Sequence, residues 1–187
     1  MNGHIFHRRK RGVFRWGLLA ISVVALTQFW CVDSRGEAPA PECLRVGLAR
    51  ECITPEEPVW LHGYASRPRF RPFEGQLNDL YAKALAVEDE RGERAVLITV
   101  DLCVLRAAEA KTLFDRLVQR TGLDRRQLLV NFSHTHSGPM IGASDFSRVP
   151  IPERDRQATL AYTARLFEKI ADAALAALAD LQPATLA

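Results

Sequence analysis

The chain has 187 residues, 48% hydrophobic and 25% charged, which suits one ordinary globular domain and excludes a disordered chain. Its net charge is +3, but Arg8, Arg9, Lys10, Arg11 and Arg15 carry that excess with no acid among the first fifteen residues. The remainder is near neutral to slightly acidic, so no basic face calls for nucleic acid.

Residues 1–12 read as a basic cytoplasmic N-terminus and residues 13–32 as a signal peptide or membrane anchor. The run Trp16-Gly-Leu-Leu-Ala-Ile-Ser-Val-Val-Ala-Leu-Thr-Gln-Phe-Trp-Cys-Val32 contains no charge. It is long for a signal core and at the short limit for a spanning helix. Positive residues before it predict an exported remainder, secreted or membrane-anchored. No small-X-small cleavage site follows at a suitable distance, which tilts the reading toward an anchor. Residues 33–42, Asp-Ser-Arg-Gly-Glu-Ala-Pro-Ala-Pro-Glu, form a linker. Residues 43–187 form the folded part.

Within that part the pattern alternates strand and helix. Residues 44–50 alternate as a strand that Thr54-Pro-Glu-Glu-Pro58 breaks. Residues 80–88 and 95–101 pair as a hairpin around Asp89-Glu-Arg-Gly-Glu93. The second of these is continuously apolar and is expected to be buried on both faces. Leu105, Ala108, Leu113, Phe114, Leu117 and Val118 mark a helix that Gly122 caps. Residues 128–132 make the next strand. Strand, helix, strand predicts a right-handed parallel crossover within a mixed α/β sheet. A long helix over 153–180 carries an apolar stripe, and residues 182–187 begin another strand.

The chemistry concentrates in His134-Thr-His136-Ser-Gly-Pro139, at the end of the apolar run Gln127-Leu-Leu-Val-Asn-Phe-Ser133. Side chains at i and i+2 of extended chain share a face, so both imidazoles can serve one site. One would bind a metal and the other would meet water or substrate; two histidines on a polar surface loop are the plainer alternative. Asp101 ends the strand before the crossover, and ligands of open α/β sheets gather at the carboxyl ends of strands. Asp101 therefore either joins the imidazoles or serves as a turn carboxylate. His62 reads as a loop histidine. The four cysteines include no Cys-X-X-Cys, which disfavours a structural zinc ribbon. Cys103 is expected in a buried strand, and Cys43 and Cys52 are a possible pair only if the domain is exported. Asn131-Phe-Ser133 fits a glycosylation sequon but is expected in a buried strand. Arg67-Pro-Arg-Phe-Arg71 reads as an ordinary solvated loop.

Three blocks in this order resemble the catalytic domain of the neutral/alkaline (non-lysosomal) ceramidase family. They are Ile53-Thr-Pro55 with His62-Gly-Tyr64, then Asp79-Leu-Tyr-Ala-Lys-Ala-Leu85 leading to Val100-Asp101-Leu102, and then Ser133-His-Thr-His-Ser-Gly-Pro139. The resemblance runs from about Arg45 to the last residue, and the last block is its most specific part. It implies a zinc amidase that cleaves the N-acyl bond of ceramide to sphingosine and a fatty acid. It implies that His134 is a metal ligand, with zinc the cofactor. It also implies that His136 is a catalytic residue that contacts the substrate or its developing oxyanion. The family's other ligands are a second His, a Glu and a Tyr beyond this motif, and no histidine follows His136 here. In the family, the position of His62 is usually small or apolar. The chain is therefore expected to be an N-terminal portion of such a catalytic domain, with weak zinc binding and little amidase activity alone.

Other readings compete. An amidohydrolase barrel carries its His-X-His at the end of an early strand, and a metallo-β-lactamase-like fold follows the pair with Asp-His; neither pattern fits. A membrane-tethered, non-catalytic remnant or interaction module is the alternative from another class.

Overall fold

The computed structural model describes residues 44–63 and 71–185. The expected basic N-terminus, apolar run and linker lie outside these residues, as do Cys31, Cys43 and residues 67–70 of the basic patch. Among the described residues no helix is long and apolar enough to cross a membrane.

Five strands and two long helices make a mixed sheet with its helices on one side. The elements are β1 (Leu44–Cys52), β2 (Tyr81–Glu88), β3 (Arg94–Val100), α1 (Ala107–Thr121), β4 (Leu128–Phe132), α2 (Glu153–Ala179) and β5 (Gln182–Ala184). The sheet order is β4-β3-β2-β1-β5. β3 and β4 run parallel, with Val96 opposite Leu128 and Val100 opposite Phe132. The other neighbours are antiparallel. The hairpin, the parallel crossover through α1 and the α/β class all match the sequence pattern.

One face of the sheet forms the core. Ala82, Ala84 and Ala86 of β2 and Val96, Ile98 and Val100 of β3 are buried on it. Helix α2 lies along these strands and meets them with Leu166, Ile170, Ala171, Ala173, Ala174 and Ala177. The small residues matter because they let backbones approach. A Cβ on Gly47 of β1 would overlap the carbonyl oxygen of Ala177, so only glycine fits under this end of α2. Helix α1 packs beside α2, contributing Leu113 and Leu117 to the same core. Gly122 ends α1 at φ 71°, its N–H bonded to the Val118 carbonyl, as the capping pattern predicts.

Three local expectations need correction. The apolar run of β3 is not buried on both faces: Ala95 and Thr99 are exposed, because α2 covers only the face of Val96, Ile98 and Val100. Asn131 is exposed for the same reason, on the other face of β4. Cys103 is buried, but β3 ends at Val100 and leaves Cys103 in the connection to α1.

Candidate metal centre

The site forms where β3 and β4 end side by side. Beyond Phe132 the chain turns sharply, and His134 takes a left-handed backbone conformation at φ 58°. A non-glycine residue pays a steric penalty there, which local contacts must hold in place. The holding contact is between His134 Nδ1 and the carbonyl oxygen of Cys103, 2.9 Å apart. A carbonyl only accepts, so Nδ1 carries the hydrogen and donates. That fixes the tautomer and leaves a lone pair on His134 Nε2.

His136 faces that lone pair. Its Nε2 lies 3.3 Å from His134 Nε2, and the rings meet edge to face with centroids 5.0 Å apart. Since His134 Nε2 accepts, His136 Nε2 carries the proton and donates. The His136 ring packs on Gly63, which sits at φ 82°; a Cβ there would overlap the ring. The strand-like approach of residues 60–63 to the motif explains the contact. Leu61 bridges Pro139, the His62 N–H donates to the Gly138 carbonyl at 2.9 Å, and the Met140 N–H donates to Trp60 at 2.6 Å.

Cys103 completes a group of three. Ligating atoms of Cys103, His134 and His136 all lie within 4.8 Å of one another. Sulfur and imidazole nitrogen are donors for zinc and its first-row neighbours, not for magnesium or calcium. The Cys103 thiol is pushed up by its burial, with Arg106 opposing and Asp145 adding to the rise. His134 is exposed, His136 half-buried and Cys103 buried, so the group opens to solvent on one side.

A charged network flanks the group. Asp145 is buried and accepts from Arg106 at 2.9 and 3.4 Å. Its other neighbour is His62, with Nε2 3.7 Å from Oδ2. Burial lowers the His62 pKa; Asp145 opposes that, while Arg106, His136 and His134 reinforce it. His62 is thus no isolated loop residue: it lies against the site and stays neutral at neutral pH. No spacing rule could have joined it to Asp145, which follows in a loop 83 positions later (145 minus 62).

Asp101 does not join the imidazoles. Its Oδ2 accepts from the Tyr81 N–H at 3.0 Å, and its own N–H donates to the Tyr81 carbonyl at 3.0 Å. It is a turn carboxylate that pins the start of β2 to the end of β3. Its backbone still shapes the site, because the Asp101 carbonyl lies close against Gly138.

No family model and no curated protein matches this sequence. Solved structures do. A neutral ceramidase from Pseudomonas aeruginosa superposes with a TM-score of 0.60 and 25% identity, over 77% of this chain and 23% of that one. A structure described as ceramidase complexed with C2 gives a TM-score of 0.59 at 25% identity, over 76% of this chain and 22% of the other. The chain therefore resembles a portion of neutral ceramidase in three dimensions, as its three sequence blocks imply, and spans under a quarter of those proteins' length.

Proposed function

We propose that this chain is part of a zinc-dependent amide hydrolase of the neutral ceramidase type, acting on the N-acyl bond of ceramide or a related lipid amide outside the cytoplasm. The observation that supports this best is the His134–His136 pair, its Nε2 atoms 3.3 Å apart at the mouth of a ceramidase-like sheet. His134 would hold the ion through Nε2, the nitrogen that its Nδ1 bond to Cys103 leaves available. Bound zinc polarises an amide carbonyl and lowers the pKa of water to about 7.

His136 supplies the second function. It carries its proton on Nε2 and points it at the ligand position of His134. With His134 bound to a metal, that N–H would be free to donate to a substrate oxygen on which negative charge develops. Gly63 sets the depth of the ring and the Leu61–Pro139 bridge sets its direction. The apolar run of residues 13–32 is proposed to keep the site beside a membrane, where a lipid amide is presented.

Within these 187 residues no histidine follows His136. We infer weak zinc binding and only trace amidase activity from the 187 residues alone. Elemental analysis of the purified full chain beside His134→Ala tests the proposal. Zinc retained by the parent after dialysis against micromolar free zinc, and lost in the variant, is the expected result. Equal zinc in both proteins, or none in either, would overturn it. Strong ceramide turnover by the chain alone would overturn the inferred inactivity.

A further inference from the structure

We propose that Cys103 is a second protein donor to the metal at His134, through its thiolate sulfur. This rests on the metal-binding reading of His134 and adds a ligand from the same chain. The argument begins with position. Cys103 is buried in the connection after β3, and its sulfur lies 4.0 Å from His134 Nδ1. Its ligating atom falls within 4.8 Å of those of both His134 and His136.

Distance alone is a weak criterion, but the rigidity of this contact strengthens it. The carbonyl of Cys103 receives the His134 Nδ1–H at 2.9 Å, so one residue both orients the imidazole and carries the sulfur. The two donors cannot drift apart without breaking that bond. A tetrahedral ion with metal–nitrogen and metal–sulfur lengths of about 2.1 and 2.3 Å separates N and S by about 3.6 Å. The sulfur now stands beside Nδ1, so it swings toward Nε2 to share an ion held there. Burial holds the sulfur as a neutral thiol in the absence of metal, so the cation itself must displace its proton.

The binding step is balanced simply. The sulfur–metal bond forms as the thiol proton leaves to solvent, and no oxidant or reductant is needed. A site of one thiolate and one neutral imidazole selects zinc, cobalt or copper(I) over magnesium, calcium and manganese. His136 keeps its N–H donor role in this arrangement.

Cobalt(II) reports the ligand directly, because thiolate coordination gives an intense near-ultraviolet charge-transfer absorption that imidazole coordination lacks. The test protein is the full chain carrying Cys31→Ser, Cys43→Ser and Cys52→Ser, which leaves Cys103 as its one thiol. Titration with cobalt(II) is expected to give the charge-transfer band, and adding Cys103→Ser is expected to abolish it. X-ray absorption of the zinc-loaded test protein provides a reading without the last substitution: a zinc–sulfur distance of about 2.3 Å is expected. Cobalt binding seen in visible d–d bands, with no charge-transfer band, would overturn the role of Cys103 and leave the His134 reading standing. Failure to bind cobalt or zinc at all would overturn both.

Discussion

His134 has two constraints, one chemical and one conformational, and they can be separated. Its left-handed backbone at φ 58° is tolerated by glycine at little cost, whereas an ordinary residue loses about 1–2 kcal/mol there. We therefore expect His134→Gly to be more stable than His134→Ala by about 1 kcal/mol in urea denaturation without metal. Equal stabilities would mean that the turn relaxes out of the left-handed region. The visible part of the site was the part set by local spacing: His134 and His136 are two positions apart, and a period of two puts them together. Cys103, His62 and Asp145 were not visible, because the fold brings them in from separate connections. Asp101 misled for a related reason. Its place at a strand end was read correctly, but the strand-end backbone of Tyr81 consumes its carboxylate.

At the level of elements, helix α1 supports the loop that carries Asp145. Glu109 in its first turn is buried and accepts from the N–H groups of Ala143 and Ser144, both at 3.1 Å, and from the Ser144 hydroxyl at 2.7 Å. Gly142 lies so near that a Cβ there would overlap the Glu109 side chain. Burial alone would raise the Glu109 pKa, but the Ser144 hydroxyl and the backbone donors outweigh it and lower it. A depressed carboxylate stabilises the fold fully above its unfolded value and loses that contribution as pH falls through the folded one. Glu109→Ala should cost about 2–3 kcal/mol at pH 7, and the gap from the parent should narrow as denaturation is repeated below about pH 4. A pH-independent gap, or one under about 0.5 kcal/mol, would contradict this account of the loop.

The same scale explains which sequence blocks are structural. Thr54 Oγ1 donates to Asp79 Oδ1 at 3.1 Å and accepts from the Leu80 N–H at 2.9 Å, while the Ile53 N–H donates to the Leu80 carbonyl at 2.8 Å. Tyr162 of α2 then donates its hydroxyl to the Ile53 carbonyl at 2.7 Å, and burial keeps that phenol protonated. The first two blocks thus clasp β1, β2 and α2 together, and the third holds the imidazole pair. Strands and helices were legible because each has its own period and its own stop signals. The burial of β3 was not, since an apolar run cannot say which of its faces a helix will cover.

Over the whole described fold, one face of the sheet is packed by α2 and the other bears a row of leucines. Leu48, Leu85, Leu97 and Leu129 stand in register across β1, β2, β3 and β4. Leu48 is 65% and Leu129 62% exposed, beside the cationic Arg50 and Lys83 of the next row. Solitary exposed leucines need no explanation, but four in a row are a contiguous apolar strip. The strip lies on a different surface from the imidazole pair, which opens at the strand ends. The imidazole pair thus sits at the edge where the parallel strands finish, and the account depends on the metal proposed there. Anomalous X-ray diffraction at the zinc absorption edge, from crystals of the full chain grown with zinc, tests it most directly. The account predicts a single strong peak about 2.1 Å from His134 Nε2, within reach of Cys103 and His136. A zinc peak elsewhere with nothing at His134, or well-ordered imidazoles with no peak beside His134 Nε2, would contradict it.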